Sequence, residues 1–266
     1  MSAALRFDTP VPDGGYAWWY LDALSDDGQH GLTVIAFIGS VFSPYYAWAR
    51  RATGVASALH HCALNVALYA RPGSGAPTGW AMTERGRGSV RAQADRLQIA
   101  ASAVHWDGQR LHLHIAERTM PWGRPLRGRI TLTPHALHGS SHALDAAGRH
   151  LWTPLAPQAR VAVALDAPDL NWEGHAYLDS NRGERPLAQD FRRWDWSRTT
   201  LADGRSAVLY DASRSDGSDL FRPSLLMRPA WGEYLRRVAM LPRLAPFGLA
   251  WLEEPLRTDS SLADWQ

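Results

Sequence analysis

The sequence predicts an all-β protein built from antiparallel strands, and three observations carry that expectation. Short runs rich in β-branched and aromatic residues recur along the chain, with turn residues between them. Asp-Gly turns at Asp26-Asp27-Gly28, Asp107-Gly108 and Asp203-Gly204 each sit between two such runs, the strongest short-range hairpin signal. Helical periodicity is scarce before residue 220, which argues against parallel βαβ units.

Taken in order, the first hairpin pairs 16–24 with 30–42. Strands follow at 61–69 and 79–84. The second hairpin pairs 97–106 with 110–118. Further strands fall at 129–133, 161–165 and 172–179, and the third hairpin pairs 191–200 with 206–212. Regular spacing of this kind describes a sandwich or barrel. The tail differs: 222–251 carries Pro223, Pro229, Pro242 and Pro246, and 231–241 has the pattern of one short amphipathic helix. Pro154, Pro157 and Pro168 mark a domain boundary, giving an N-terminal domain over 1–160 and a C-terminal domain over 161–266.

Composition narrows the function. The chain has 266 residues, 45% apolar and 20% charged, enough to bury a core. Its net charge is +2, and every strong base is arginine. The arginines are scattered, so no nucleic-acid surface is indicated. Cys62 is the single cysteine, which excludes a disulfide framework or a cysteine-built zinc site and fits a reducing compartment. The opening MSAALRFDTPVPDGG lacks the pattern of a signal peptide. The longest apolar run, 32–42, is too short to span a bilayer, so a soluble or peripheral protein is expected. Thirteen tryptophans stand out. They suit a β-rich core, or a pocket for a long apolar or cationic species.

Nucleotide-binding, serine-hydrolase and zincin motifs are missing from the sequence. His112 and His114 share a strand face, but Glu117 has the opposite parity, so a polar strand face is preferred to a metal site. His60-His61-Cys62 alternate faces and cannot all ligate one ion. The informative stretch is WEGHAYLDSN at 172–181. As a strand it puts His175, Tyr177 and Asp179 on one face and small or apolar residues on the other. That polar face reads either as buried in a barrel or cleft, or as a solvated strand ending in an Asp-Ser-Asn turn. His150 and Trp152 share a face in the same way.

VPDGGYAWWYLDALSDDGQHGLTVIAFIGSVFSPYYAWAR (11–50), HCALNVALY (61–69), WAMTERGR (80–87), GHAYLDSNRG (174–183) and DFRRWDWSR (190–198) resemble the carotenoid 1,2-hydratase family, also called hydroxyneurosporene synthase. The resemblance covers roughly 11–212. It implies two lipocalin-like β-barrel domains, a fold shared with some fungal pericyclases. It implies hydration of the 1,2 double bond of acyclic carotenoids such as neurosporene and lycopene, in the spheroidene and spirilloxanthin pathways of phototrophic purple bacteria. It implies no organic cofactor or metal, and a catalytic set that falls here on His150, Trp152, Tyr177 and Asp179. Beyond about residue 220 the tail departs from the family pattern, and an incomplete second barrel is expected.

Alkene hydration begins with proton transfer to carbon, so it needs a protonated acid in a dry site. Asp179 is the candidate acid, with burial raising its pKa. Trp152 and Tyr177 would stabilise the tertiary cation through their ring faces. His150 would take a proton from the attacking water, with Tyr177 as an alternative orienter of that water. His175 is a second-tier candidate. A long polyene must be collected from a bilayer, so peripheral contact at the cytoplasmic side of the inner membrane is expected. Trp231, Tyr234, Leu235 and Trp251 are its candidates, or else they pack within the second domain. Two competing readings are a lipocalin-like carrier of an apolar ligand and a cofactor-independent pericyclase or isomerase.

Overall fold

The computed structural model describes residues 5–200, 206–226, 236–240 and 249–253. The chain divides into two compact units, Met1–Arg185 and Pro186–Gln266. The boundary expected at 160/161 falls instead inside a strand, because the prolines that suggested it are accommodated at strand irregularities and in a turn.

The first unit carries β1 (Tyr16–Ser25), β2 (His30–Ile38), helix α1 (Pro44–Thr53), β3 (Cys62–Ala70), β4 (Gly79–Arg85), β5 (Val90–Ala92), β6 (Arg96–Ile99), β7 (Ser102–Trp106), β8 (Leu111–Arg118), β9 (Pro125–Pro134), β10 (His142–Ala143), β11 (His150–Ala167) and β12 (Asp169–Gly183). The sheet order is β4-β3-β2-β1-β12-β11-β9-β8-β7-β6-β5, with β10 paired to β11. β4 comes back against β8, so the antiparallel sheet is nearly closed and barrel-like. The second unit holds helix α2 (Leu187–Asp190), β13 (Phe191–Thr200), β14 (Ser206–Arg214), β15 (Asp219–Leu226), β16 (Arg236–Met240) and β17 (Leu249–Glu253). These strands form a separate antiparallel sheet in the order β15-β14-β13-β16-β17. The all-β, lipocalin-like expectation therefore holds. The helix expected over 231–241 does not: Arg236–Met240 is a strand paired with β13, and 231–235 and 241 lie outside the described residues. The Asp203-Gly204 turn also lies outside them, although the strands it was to join do pair.

Two other boundaries differ. The strand expected over 30–42 stops at Ile38. Gly39 follows with φ +70°, and a Cβ there would lie 2.5 Å from the Gly15 carbonyl oxygen. Such a position needs glycine. The chain then enters α1, capped by the Ser43 hydroxyl, which accepts from Tyr46 N–H at 2.9 Å. The run 97–106 is two strands, β6 and β7. They turn at Ala100, whose φ is +54°, and Ile99 pairs with Ser102.

The core sits on one face of the first sheet. Trp19, Leu21 and Ala23 of β1 join Leu32, Val34 and Ala36 of β2, Leu64 and Val66 of β3, Leu113 and Ile115 of β8, and Ala176 and Leu178 of β12. Side chains alternate across a strand, so the intervening residues of β1 and β12 project to the opposite face. That face is buried as well: nearly all of β1 is inaccessible along its length. Two buried layers flank these strands, and only one is the apolar core.

Candidate active site

The second layer is aromatic and polar. Along β12 it runs Tyr177, Asp179, Asn181 and Gly183; along β1, antiparallel to it, Asp22, Tyr20, Trp18 and Tyr16. The ladder sets Tyr20 opposite Asp179 and Asp22 opposite Tyr177. On the other flank, β11 places Trp152 opposite Asn181 and His150 opposite Gly183. A register shift between Thr153 and Ala156 marks a bulge just beyond Trp152. The ladder is thus interrupted beside Asp179, a device common next to active sites because it re-aims side chains.

Asp179 is the centre of this layer. Its Oδ2 accepts hydrogen bonds from Trp152 Nε1–H at 2.8 Å and from the Tyr177 hydroxyl at 2.9 Å. Its Oδ1 accepts a longer one from Asn181 Nδ2 at 3.4 Å. Trp152 and Tyr177 are wholly buried and Asp179 nearly so. Burial drives the Asp179 carboxyl up to about 7, and the charge of Asp22 adds to the rise; the two hydrogen bonds on Oδ2 oppose it. The side chain is therefore an acid that keeps much of its proton near neutral pH.

The remaining expected residues divide. His150 is fully buried in the same layer. Its Nδ1 lies 2.8 Å from the Tyr16 hydroxyl, and its backbone N–H donates to Asp145 Oδ1 at 2.9 Å. Gly183 makes this pairing possible: a Cβ there would lie 2.4 Å from Tyr16 Cε1 and 2.7 Å from His150 Nδ1. His150 stands four positions along the ladder from Asp179, about 13 Å at the rise of a strand. His175 shares the parity of Tyr177 but lies toward the end of the strand, half exposed, with Nε2 3.3 Å from Asp26 Oδ1. It belongs to a surface ion-pair group with Arg160, outside the site.

The histidines weighed as metal ligands have other partners. His112 Nε2 is 2.7 Å from Asp107 Oδ2 on the surface, and His61 Nδ1 pairs with Glu84 Oε1. Among the described residues no group of three or more His, Cys, Asp or Glu side chains is placed to hold a metal ion. Trp231, Tyr234 and Leu235 lie outside the described residues, and Trp251 falls in β17. No helix among the described residues is long and apolar enough to cross a membrane.

The β1 contribution was not among the expected site residues. Tyr16 stacks on Trp18 at a centroid distance of 4.9 Å, Trp18 meets Phe37 at 6.1 Å, and Tyr20 meets Tyr177 edge-on at 6.3 Å. Asp22 is completely buried, with Oδ2 accepting from the Tyr20 hydroxyl at 3.1 Å. A signal did exist in the sequence: Tyr-Leu-Asp occurs at 20–22 and again at 177–179.

The carotenoid hydratase CrtC family matches residues 34–231. The chain is 51% identical over 217 residues to an acyclic carotenoid 1,2-hydratase of Rubrivivax gelatinosus, covering 81% of this chain and 52% of that protein. It is 53% identical over 213 residues to the protein of that name from Thiocapsa roseopersicina, covering 80% of this chain and 51% of that one. The chain thus spans about half the length of these curated relatives. Among solved structures, an AttH protein of Nitrosomonas europaea superposes with a TM-score of 0.52 at 17% identity, over 93% of this chain and 73% of that one. That likeness concerns the fold alone.

Proposed function

The chain belongs to the carotenoid hydratase CrtC family, and from that premise we propose that it adds water across the terminal 1,2 double bond of an acyclic carotenoid, lycopene or neurosporene. The observation that carries the reading is Asp179: a buried carboxylic acid, poised near neutrality and ringed by Trp152, Tyr177 and Tyr20.

The chemistry follows from that arrangement. Two donors occupy Asp179 Oδ2, so the acidic proton sits on Oδ1. It passes to C2 of the alkene, and the positive charge develops at the tertiary C1. The faces of Trp152, Tyr177 and Tyr20 stabilise that charge, each ring contributing about 0.5–2 kcal/mol in a desolvated setting. Water then captures C1. Trp152 and Tyr177 bonds strengthen as Asp179 becomes a carboxylate, so they favour the step that generates the cation. Proton transfer and water capture balance without a redox partner, and the reading is cofactor-free. A carrier would have no need of an acid with a raised pKa against bound polyene, so catalysis is favoured over transport.

The polyene reaches the site from a membrane to which the protein binds peripherally, on the cytoplasmic side. The support comes from α1. Tyr45 and Trp48 project from it with 68% and 65% of their surface exposed, and Arg51 is exposed one turn further on. Apolar rings flanked by arginine suit an anionic interface. Tyr46 ties the helix to the Tyr16 end of the site by donating its hydroxyl hydrogen to the Gly15 carbonyl at 2.7 Å.

The test is incubation of purified protein with lycopene or neurosporene liposomes in H₂¹⁸O. A product heavier by one labelled water supports the reading. Tight carotenoid binding without product by folded protein replaces it with a carrier.

A further inference from the structure

The hydration needs an acceptor for the proton of the attacking water, and the residue expected to serve, His150, stands at the far end of the layer from Asp179 with Nδ1 facing Tyr16. A closer carboxylate is present. The two Tyr-Leu-Asp segments lie antiparallel on neighbouring strands, so that each tyrosine is opposite the other segment's aspartate. Each aspartate accepts a hydrogen bond from its own tyrosine, at 3.1 Å for Tyr20–Asp22 and 2.9 Å for Tyr177–Asp179. Asp22 and Asp179 are diagonal neighbours on one face, a relation that separates Cα atoms by about 7–8 Å. In inverting glycosidases, where one carboxyl protonates and the other activates a water, the carboxyl groups stand about 6.5–9.5 Å apart, a spacing within reach of side chains on diagonal positions.

A second observation points to that water. Thr33 lies opposite Asp22 on β2. It is 1% exposed, and its Oγ1 has no hydrogen-bond partner among the described residues. Leu32 and Val34 belong to the core, so Thr33 projects to the Asp22 side. A buried hydroxyl without a partner is costly, and a water bound between it and Asp22 satisfies it.

We propose that Asp22 is the general base of the hydration, taking a proton from a water held by Thr33, with Tyr20 as the residue that positions the carboxylate. The inference rests on the hydratase reading. The Asp179 Oδ1–H bond breaks as the alkene electron pair forms the C2–H bond. A water lone pair forms the C1–O bond, and one O–H bond of that water breaks toward Asp22. The proton on Asp22 then returns to Asp179 before the next turnover. Burial is the main cause of the raised Asp179 pKa, and the charge of Asp22 adds to it, as expected of neighbouring groups.

The experiment measures hydration and carotenoid binding by native protein, Asp22→Asn, Asp22→Ala, Thr33→Val and Asp179→Asn, with and without added formate. Asp22→Asn is expected to lose turnover by about 10²–10⁴-fold, the span of general-base contributions, with carotenoid affinity within about threefold. Formate is expected to restore part of the turnover of Asp22→Ala and none of that of Asp179→Asn. Thr33→Val, which keeps shape and removes the hydroxyl, is expected to lower kcat about tenfold with KM unchanged. Asp22→Asn at near-native turnover overturns the proposal. So does loss of turnover in step with loss of binding across both Asp22 variants when Thr33→Val is unaffected. A native protein that forms no hydrated product overturns the hydratase reading itself, which a native-like Asp22→Asn does not.

Discussion

Trp152 donates its indole N–H to Asp179 Oδ2 across two strands whose ladder is broken beside that carboxylate. The bond stabilises the carboxylate form, so it holds down a pKa that burial pushes up. Trp152→Phe removes the donor and retains the ring. The pKa of Asp179 then rises further, the alkaline limb of the pH–rate profile moves to higher pH, and kcat falls about tenfold as the developing carboxylate loses a donor. An unmoved alkaline limb would show that this bond does not tune the acid.

The pH dependence of the native protein follows from the same group. In the proposed reaction Asp179 acts as a neutral acid, so turnover is expected to fall as pH rises through about 7. Stability moves in the same direction. The folded pKa lies above the unfolded value, so the unfolded chain binds fewer protons between the two. The stabilisation is fully present below the ordinary aspartate range and is lost as pH rises through about 7. Urea midpoints at pH 5 and pH 8 measure it: the native difference is expected to shrink in Asp179→Asn, whose turnover is also abolished.

Gly183→Ala tests the packing beneath His150. A Cβ placed 2.4 Å from the Tyr16 ring forces that ring or the strand to shift. Overpacking of this kind costs about 1–3 kcal/mol. Urea denaturation is expected to show a loss of that order, and Tyr16 fluorescence or chemical shift should report a displaced ring. Native stability in the variant would mean that the two strands yield easily.

Membrane contact is tested at α1. Trp48→Ser combined with Tyr45→Ser is expected to reduce flotation with anionic liposomes several-fold. It should lower the rate on liposome-embedded carotenoid more than on detergent-dispersed carotenoid. Equal losses in both media would assign these rings to something other than bilayer docking.

Much of this was legible in the chain, and the reason is periodicity. Period-two alternation put Tyr177 with Asp179 and His150 with Trp152 on common faces, and the structure joins Trp152, Tyr177 and Asp179 directly. The same alternation also admitted His175, because parity says nothing of how far along a strand burial extends. β1 hid its role for a different reason. In Tyr-Ala-Trp-Trp-Tyr-Leu-Asp both faces are largely apolar, so pattern alone does not say which faces the site. That choice is made by pairing with β12, a non-local contact. α1 is hidden in the pattern because Tyr45, Tyr46 and Trp48 are also strand formers; Ser43 and Gly54 cap it, with Pro44 at its first turn. The proline-based boundary failed because a bulge tolerates Pro154 within β11.

The two layers flanking β1 and β12 have a practical consequence. Neighbouring positions in these strands answer to different demands, so a mutational scan should read as two interleaved series. Changes at Leu21, Ala176 and Leu178 should register in melting temperature. Those at Tyr20, Tyr177 and Asp179 should register in turnover. An engineer seeking a reshaped site can therefore diversify every second residue of the sheet and leave the apolar core layer unchanged.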